Sequence, residues 1–288
     1  MSQFKNIFTI DLEEWFVVEI LSNRYTKKEW EKLRSTVVDD SLILLGLLRK
    51  HNVKGTWFVL GWVADKYPDL IKEISNEGHE IACHSYYHRR VDQLTQDEFK
   101  KDTNDAINAL IKATGIVPSG YRAPTWSINN MNSWAFEVLS DLGFYYDSSV
   151  FPIKHDIYGW ADGPRRDFKM QFENGKTLIE LPATTYKLFG KNVPVAGGGY
   201  FRHSPYWYSK MIIKSLNKIN QPAIFYIHPW EVNPNLPKIE GLSKLQRFRT
   251  YSSTELLTHK IEKLLEDFKF TDMLDYLGYY KKNKIGFH

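Results

Sequence analysis

Short apolar runs of strand length alternate with segments of helical period along most of the chain. Phe4–Ile10 and Gly55–Leu60 are predicted to be strands, whereas Val37–Lys50 and Asp65–Asn76 are predicted to be helices. A capping box that begins at Thr95 predicts a further, longer helix. Strands that alternate with helices form parallel sheets, because each helix returns the chain to the same edge of the sheet. The alternation therefore predicts an α/β fold built from βα units.

The alternation lapses at Phe151–Gly175, where proline, glycine and charged residues predict a long surface excursion. It resumes with a strand at Leu178–Pro182, a helix at Tyr206–Ile219 and a strongly apolar strand at Ala223–His228. No linker-like tract or internal repeat interrupts the 288 residues, so we expect a single domain over residues 1–288. In a parallel barrel, polar residues that follow the strands converge on one face.

An acidic motif follows the first predicted strand. Asp11 and Glu13 are two residues apart and would project to the same side of an extended strand, while Glu14 would point away. One carboxylate could bind a metal ion while the other acts as a base. The motif alone is equally compatible with an acidic strand end that faces solvent.

Two histidines, His84 and His88, follow the apolar run that ends at Cys83. Either a helical turn or a bend after the strand would let both imidazoles reach one ion. Two histidines and one carboxylate leave coordination positions open, which is typical of catalytic metal sites. A closed structural zinc site usually needs several sulfur ligands, and Cys83 is the only cysteine of the chain.

Arg122 and His228 also stand at the ends of predicted strands. Arg122 precedes Ala123 and Pro124, and its planar guanidinium could clamp a carboxylate such as Asp11. His228 is positioned as a general acid. A surface arginine and a hydrogen-bonded core histidine are the alternatives.

Composition excludes several classes of function. The net charge of +4 comes from 38 basic and 34 acidic residues spread along the chain, which does not indicate a nucleic-acid-binding surface. No apolar run is long enough to predict a transmembrane segment, and the first residues lack the pattern of a signal peptide. With a single cysteine, these features predict a cytoplasmic protein.

Taken in order, these motifs resemble those of the polysaccharide deacetylase family, the NodB-homology carbohydrate esterases, over roughly Phe4 to Leu277. The resemblance implies a distorted (β/α) barrel, with seven parallel strands expected, that removes the N-acetyl group from acetamido sugars. It also implies one bound divalent metal ion. Zinc is the first candidate, and cobalt, nickel and manganese are the alternatives. The implied roles are Asp11 as base, Glu13, His84 and His88 as metal ligands, Arg122 as the residue that orients the base, and His228 as acid.

Many members of the family have adjacent aspartates where this chain has Asp11-Leu12-Glu13-Glu14. The choice between Glu13 and Glu14 as metal ligand therefore stays open, although strand alternation favours Glu13.

Asp147-Ser148-Ser149 and the glycine-rich segment 197–202 resemble a subgroup associated with bacterial exopolysaccharide and surface-glycan biosynthesis. Asp147 is expected to bind substrate or to tether His228, and the glycines to let the backbone approach a sugar. The predicted substrate contacts are Tyr87, Pro124, Asp147, Gly198, Tyr200 and Trp230.

A cytoplasmic enzyme would act on a biosynthetic intermediate, such as an acetamido sugar linked to a nucleotide or to a lipid carrier. Two alternatives stay open. One is a metal-dependent hydrolase of small non-sugar amides or cyclic ureides on the same barrel, and the other is a catalytically silent glycan-binding module. The oligomeric state is left open.

Overall fold

The computed structural model describes residues 5–21 and 24–282; Phe4, at the start of the first predicted strand, lies outside them. Within these residues the chain forms eleven strands and eleven α-helices. The strands are β1 (Asn6–Leu12), β2 (Thr56–Val59), β3 (Glu80–Cys83), β4 (Gly120–Tyr121), β5 (Tyr146–Asp147), β6 (Phe168–Gln171), β7 (Thr177–Glu180), β8 (Thr185–Leu188), β9 (Lys191–Pro194), β10 (Ile224–Ile227) and β11 (Phe270–Thr271). The helices are α1 (Lys27–Trp30), α2 (Val37–Lys50), α3 (Gly61–Lys66), α4 (Pro68–Asn76), α5 (Gln96–Thr114), α6 (Trp134–Asp141), α7 (Gly198–His203), α8 (Tyr206–Lys218), α9 (Lys244–Tyr251), α10 (Thr254–Asp267) and α11 (Met273–Lys282).

Seven parallel strands form one curled sheet in the order β10-β1-β2-β3-β4-β5-β7. β6 extends this sheet antiparallel to β7, and β11 pairs with the start of β1 at Asn6 and Ile7. Among the described residues no ladder joins the two terminal strands of this sheet, β6 and β10, so the sheet is a curled half-barrel with a seam between them. The predicted α/β fold with a barrel-like parallel sheet is confirmed; seven parallel strands follow one another along the sheet, and β11 is an eighth that pairs in parallel with β1.

β1 lies inside the sheet, and all seven of its residues are buried. Strands of parallel sheets are covered on both faces, which is why their sequences are nearly continuously apolar. The two polar exceptions near the end of β1 are Thr9 and Asp11. A carboxylate is therefore brought into the interior at the carboxyl end of the sheet.

Several helix boundaries follow directly from local sequence signals. The side chain of Thr95 accepts a hydrogen bond from the Glu98 amide at the start of α5, and Gly115 ends that helix in the left-handed conformation. The single helix predicted over residues 65–76 is instead two helices, α3 and α4. They separate at Tyr67 because Pro68 disfavours helical backbone in the residue before it.

The predicted surface excursion contains a strand that the sequence reasoning missed. In β6, half-buried Phe168 and Met170 alternate with more exposed Lys169 and Gln171, and the strand pairs with β7. The hairpin of β8 and β9 was missed as well. Among the described helices, none combines the length and the apolarity that crossing a membrane requires.

The contact between α3 and α5 predicts the effect of a glycine substitution. A Cβ on Gly61 would lie 2.4 Å from the Tyr86 ring and 2.8 Å from the Ala106 Cα atom. We expect Gly61→Ala to lower the free energy of unfolding by roughly 1–3 kcal/mol in urea titration, because the helix backbones must separate. Gly46→Ala on α2 is the control: a Cβ there meets nothing within 4 Å, so the stability should stay unchanged or rise by up to about 1 kcal/mol. Equal stability losses in the two variants would contradict this interpretation.

Candidate active site

The polar motifs that follow the strands surround a cavity of about 440 Å³. Asp11 and Glu13 come from the end of β1, His84 and His88 follow β3, and His228 follows β10. All five line the cavity, although 217 residues separate the first from the last. The parallel register brings these chain-distant groups to one end of the sheet.

Glu13, His84 and His88 form a compact cluster in which one ligand atom from each lies within 4.8 Å of the others. Glu13 Oε2 is 2.8 Å from His88 Nε2 and 3.7 Å from His84 Nε2. His84 Nδ1 contacts the Arg122 carbonyl oxygen at 2.8 Å, which leaves its Nε2 directed at Glu13. One carboxylate and two imidazoles are a donor set that fits a divalent metal ion; Glu13 and His84 are buried and His88 is half-buried.

Glu13 is held in its ionised form, which suits a metal ligand. Burial alone would raise its pKa, but the neighbouring imidazoles of His88, His228 and His84 hold the pKa well below its usual range. Glu14 points away, as expected, and its carboxylate accepts hydrogen bonds from Ser35 and from the Thr36 amide. Glu13 is therefore the carboxylate that lies beside the histidines.

A bend, not a helical turn, brings the two histidines together. Ser85 and His88 both adopt left-handed backbone conformations, with φ of 64° and 54°. The His88 amide donates to Ser85 Oγ at 3.0 Å, which closes the bend. Positive φ in residues other than glycine costs free energy and is concentrated at functional sites.

Asp11 forms a buried ion pair with Arg122, which has no exposed surface. Arg122 Nη1 donates to Asp11 Oδ1 at 2.6 Å and to Thr9 Oγ1 at 2.8 Å. Its other donors reach Ser148 Oγ and the Ser148 carbonyl oxygen at 3.1 and 3.2 Å, and the guanidinium carbon lies 4.0 Å from the centre of the Phe58 ring. The guanidinium therefore orients Asp11 and balances its charge.

His228 faces both carboxylates across the cavity floor. Its Nε2 is 3.9 Å from Asp11 Oδ2 and 3.8 Å from Glu13 Oε1, and its ring stacks on Trp230. Its Nδ1 lies 2.8 Å from Glu231 Oε1. Burial lowers the pKa of His228, but Glu13, Glu231 and Asp11 outweigh it and raise the pKa to about 9. His228 is thus held in its protonated form.

Glu231 and Arg202 were missed as site residues. Burial opposes ionisation of Glu231, but His228 and Arg202 keep its pKa below the usual value. Arg202 Nη1 lies 3.8 Å from Glu231 Oε2, and Arg202 also donates to the carbonyl oxygens of Arg249 and Thr250. The spacing of Glu231, three residues after His228 at the start of a 3₁₀ turn, is the capping-box signal that could have revealed it.

The predicted substrate contacts divide into two groups. Gly198, Tyr200 and Trp230 line the cavity, whereas Tyr87, Pro124 and Asp147 do not. The Tyr87 ring packs instead against the Lys27 ammonium, 3.6 Å from its centre. Pro124 is buried in a 3₁₀ turn. Tyr87 and Pro124 therefore lie outside the cavity wall, contrary to their predicted role as substrate contacts.

Asp147 is fully buried and does not tether His228. Its carboxylate accepts hydrogen bonds from the Ser149 hydroxyl and amide, at 2.7 and 3.2 Å. Pairing of β5 with β7 places Asp147 opposite Glu180, and burial raises the pKa of Asp147 to about 6. The tether of His228 is Glu231, a local partner, so this prediction was wrong.

In the glycine-rich segment 197–202, close contact with β10 requires a glycine at position 197. Gly197 has φ of 142°, and a Cβ there would lie 2.3 Å from the Tyr226 carbonyl oxygen. Gly197 and Tyr226 form a bridge, so the close approach is to the backbone of β10. Gly198 comes next and faces the cavity.

Aromatic and apolar side chains complete the cavity wall. Thr125 and Trp126 are held there in left-handed conformations, directly after the Arg122-Ala123-Pro124 motif. The other lining residues that the sequence reasoning did not identify include Trp15, Val18, Ile20, His155, Ile157, Tyr158 and Tyr226. The aromatic content of 15% hinted at such a wall without locating it.

Comparison with known proteins agrees with this arrangement. A family model described as polysaccharide deacetylase matches residues 40–146, and a domain of unknown function (DUF3473) matches residues 148–278. The peptidoglycan deacetylase of Helicobacter pylori is 31% identical over 158 residues, which are 50% of this chain and 52% of that protein. Over residues 40–146 the chain therefore matches the polysaccharide deacetylase family, and its similarity to a curated deacetylase agrees with that match.

Two solved structures share the fold. A Mycobacterium smegmatis protein assigned to the polysaccharide deacetylases superposes with a TM-score of 0.61 at 21% identity, covering 99% of this chain and 94% of that one. The allantoinase PuuE superposes with a TM-score of 0.61 at 17% identity, covering 95% and 89%. The chain spans only 34% and 52% of the length of the first curated relatives that it matches.

The cluster of Glu13, His84 and His88 predicts where a metal ion binds. We expect His84→Ala, His88→Ala and Glu13→Gln each to lose a stoichiometric divalent ion in elemental analysis, because each variant removes one of three ligands. Glu14→Gln is the matched control and should retain the ion. Full occupancy in both histidine variants would show that the site lies elsewhere.

Proposed function

We propose that the protein is a metal-dependent deacetylase that hydrolyses the N-acetyl group of an acetamido sugar in a bacterial glycan or glycan precursor. The observation that supports this most strongly is the convergence of Asp11 and His228 on the Glu13–His84–His88 cluster within one cavity. The match of residues 40–146 to the polysaccharide deacetylase family supports the reaction class.

Glu13, His84 and His88 would hold the metal ion, with zinc the first candidate and cobalt, nickel or manganese as alternatives. When bound, such an ion polarises the acetamide carbonyl and makes water more acidic. The chain supplies the remaining functions itself: proton transfer, orientation and exclusion of bulk water.

Asp11 would act as the general base. It takes a proton from the attacking water as the water oxygen bonds to the acetyl carbonyl carbon. Arg122 keeps this carboxylate oriented through the 2.6 Å contact. The second oxygen of Asp11 faces the cavity on the side of His228.

His228 would act as the general acid. It donates a proton to the amide nitrogen as the bond from carbon to nitrogen breaks, so the products are acetate and a free amino sugar. Glu231 holds the imidazole through Nδ1, which leaves Nε2 as the donating atom on the cavity side. The ring stack on Trp230 restricts the orientation of the imidazole further.

The cavity volume and wall support a short substrate. A volume of about 440 Å³ lies in the range of small-molecule sites, and apolar walls with a few polar groups are typical of them. We infer an acetamido sugar carried by a nucleotide or a lipid, handled in the cytoplasm. Cell fractionation tests the compartment, and comparison with a long acetylated polymer tests the substrate length.

Two rival functions make different predictions. A hydrolase of small amides or cyclic ureides would share the fold, as the likeness to an allantoinase illustrates, but would release no acetate from sugars. A silent glycan-binding module would bind acetamido sugars without turnover, and the presence of both Asp11 and His228 argues against it.

Substrate screening with active-site variants tests the proposed reaction. The metal-loaded protein should release acetate from at least one nucleotide- or lipid-linked acetamido sugar and leave allantoin intact. Asp11→Asn and His228→Ala should lower kcat by about 10²–10⁴-fold while retaining the ion, because each removes a proton-transfer group and no ligand. Wild-type turnover in either variant would disprove that residue's role.

The raised pKa of His228 predicts the alkaline limit of activity. His228 must be protonated to donate, so kcat should fall as pH rises through about 9. A bound cation would offset the effect of Glu13, so a variant at Glu231 is the sharper probe. Glu231→Gln should move the alkaline limb to lower pH, because it removes a carboxylate that stabilises the imidazolium. An alkaline limb that stays in place in this variant would contradict the assignment of His228 as acid.

A further inference from the structure

A stretch of fifty residues, from Leu181 to Trp230, contains no aspartate or glutamate. It carries Arg202 and the lysines Lys187, Lys191, Lys210, Lys214 and Lys218. The chain as a whole has 34 acidic residues, so this absence creates a local excess of positive charge that the net charge of +4 conceals. The β8–β9 hairpin and helix α8 lie within this stretch.

Both elements expose large apolar side chains. Phe189, at the tip of the hairpin, is 95% exposed, and Trp207 and Met211 on α8 are 66% and 51% exposed. Trp207 and Met211 are four residues apart, so they lie on one side of the helix. Lys214 and Lys218 continue the exposed stripe along α8. We call the exposed residues of β8–β9 and α8 the hairpin–α8 surface.

A groove of about 700 Å³ joins the two elements. Tyr186 and Lys187 of the hairpin line it together with Leu216 and Ile219 at the end of α8. Arg165 and Arg166 add positive charge to its wall. The hairpin and the C-terminal end of α8 therefore flank one groove that has a basic wall.

Most of the lysines on this surface have no acidic partner. Lys210 pairs with Asp267 of α10 at 2.6 Å. Within the described part of the chain, Lys187, Lys191, Lys214 and Lys218 make no ion pair of 4.0 Å or less, although the charge of Lys214 contributes to lowering the pKa of Asp267. Their charge is available to an external anionic partner.

We propose that the hairpin–α8 surface docks on an anionic phospholipid bilayer. Aromatic and aliphatic side chains enter the boundary between headgroups and acyl chains, while lysines beside them attract lipid phosphates. A second copy of the chain is disfavoured, because a two-fold interface would bring the same lysines face to face. Single-stranded nucleic acid would use the aromatic rings but would gain little from Met211 and Ile219.

Docking would place the catalytic cavity beside the membrane. Ser204 lines that cavity, and α8 begins two residues later at Tyr206. This consequence rests on the proposed function, since it would bring a lipid-linked acetamido sugar to the enzyme. The docking itself does not depend on deacetylation.

Vesicle co-sedimentation with the full chain tests the proposal. Vesicles of equal parts phosphatidylcholine and phosphatidylglycerol should bind the protein, vesicles of phosphatidylcholine alone should not, and added salt should weaken binding. The double variant Phe189→Ser/Trp207→Ser should bind about tenfold more weakly, as should Lys187→Gln/Lys214→Gln. Ile116→Ser/Val117→Ser is the control, because both residues are exposed and lie outside the surface.

Further measurements separate the outcomes. Circular dichroism and hydrolysis of a soluble acetamido sugar should be unchanged in the variants, so a failed deacetylase assay with intact vesicle binding would reject only the proposed function. No sedimentation with anionic vesicles, or equal loss in the control, would overturn docking. A dimer that dissociates in Phe189→Ser/Trp207→Ser, or oligonucleotide binding without vesicle binding, would reassign the surface.

Discussion

The active-site arrangement depends on how Arg122 is accommodated at the centre of the sheet. Its guanidinium holds Asp11 and contacts Ser148, while its carbonyl oxygen contacts His84 Nδ1. One residue thereby positions a proposed base and a proposed metal ligand. The buried charge of Arg122 is tolerated because the N–H groups of its guanidinium are hydrogen-bonded. Removing one partner of a buried ion pair typically lowers the free energy of unfolding by about 3–5 kcal/mol. The chemistry and the packing of the sheet are therefore inseparable at this position.

Much of the fold and the centre of the site could be predicted from the sequence. Alternation of strand and helix periods predicted the parallel sheet, and the ends of β1, β3 and β10 predicted which residues meet. The errors concern side-chain partners. Asp147 lies at the carboxyl end of a strand, as Asp11 does, but pairing of β5 with β7 places it opposite Glu180. Tyr87 adjoins His88, but the bend turns its ring towards Lys27. Such details depend on register and local backbone, which periodicity does not encode.

The two matched regions of the chain are parts of one sheet. Residues 40–146 supply His84, His88 and Arg122, whereas residues 148–278 supply His228. Asp11 and Glu13 precede both regions. β10 pairs with β1 along four residues, so the C-terminal region is joined to the N-terminal strand at one end of the sheet. Neither matched region contains the complete constellation.

The seam between β6 and β10 affects how the sheet fluctuates. On the outer edge of β10, the Ile224 amide donates to the Thr184 hydroxyl and the Tyr226 amide to the Ala196 carbonyl oxygen. These bonds attach the edge to a connecting segment and not to a continuous strand. Sub-global opening should therefore begin here, and hydrogen exchange at Ile224 and Tyr226 should precede exchange within β1. Since Tyr226 lines the cavity, such opening would change the shape of the cavity from the side of β10.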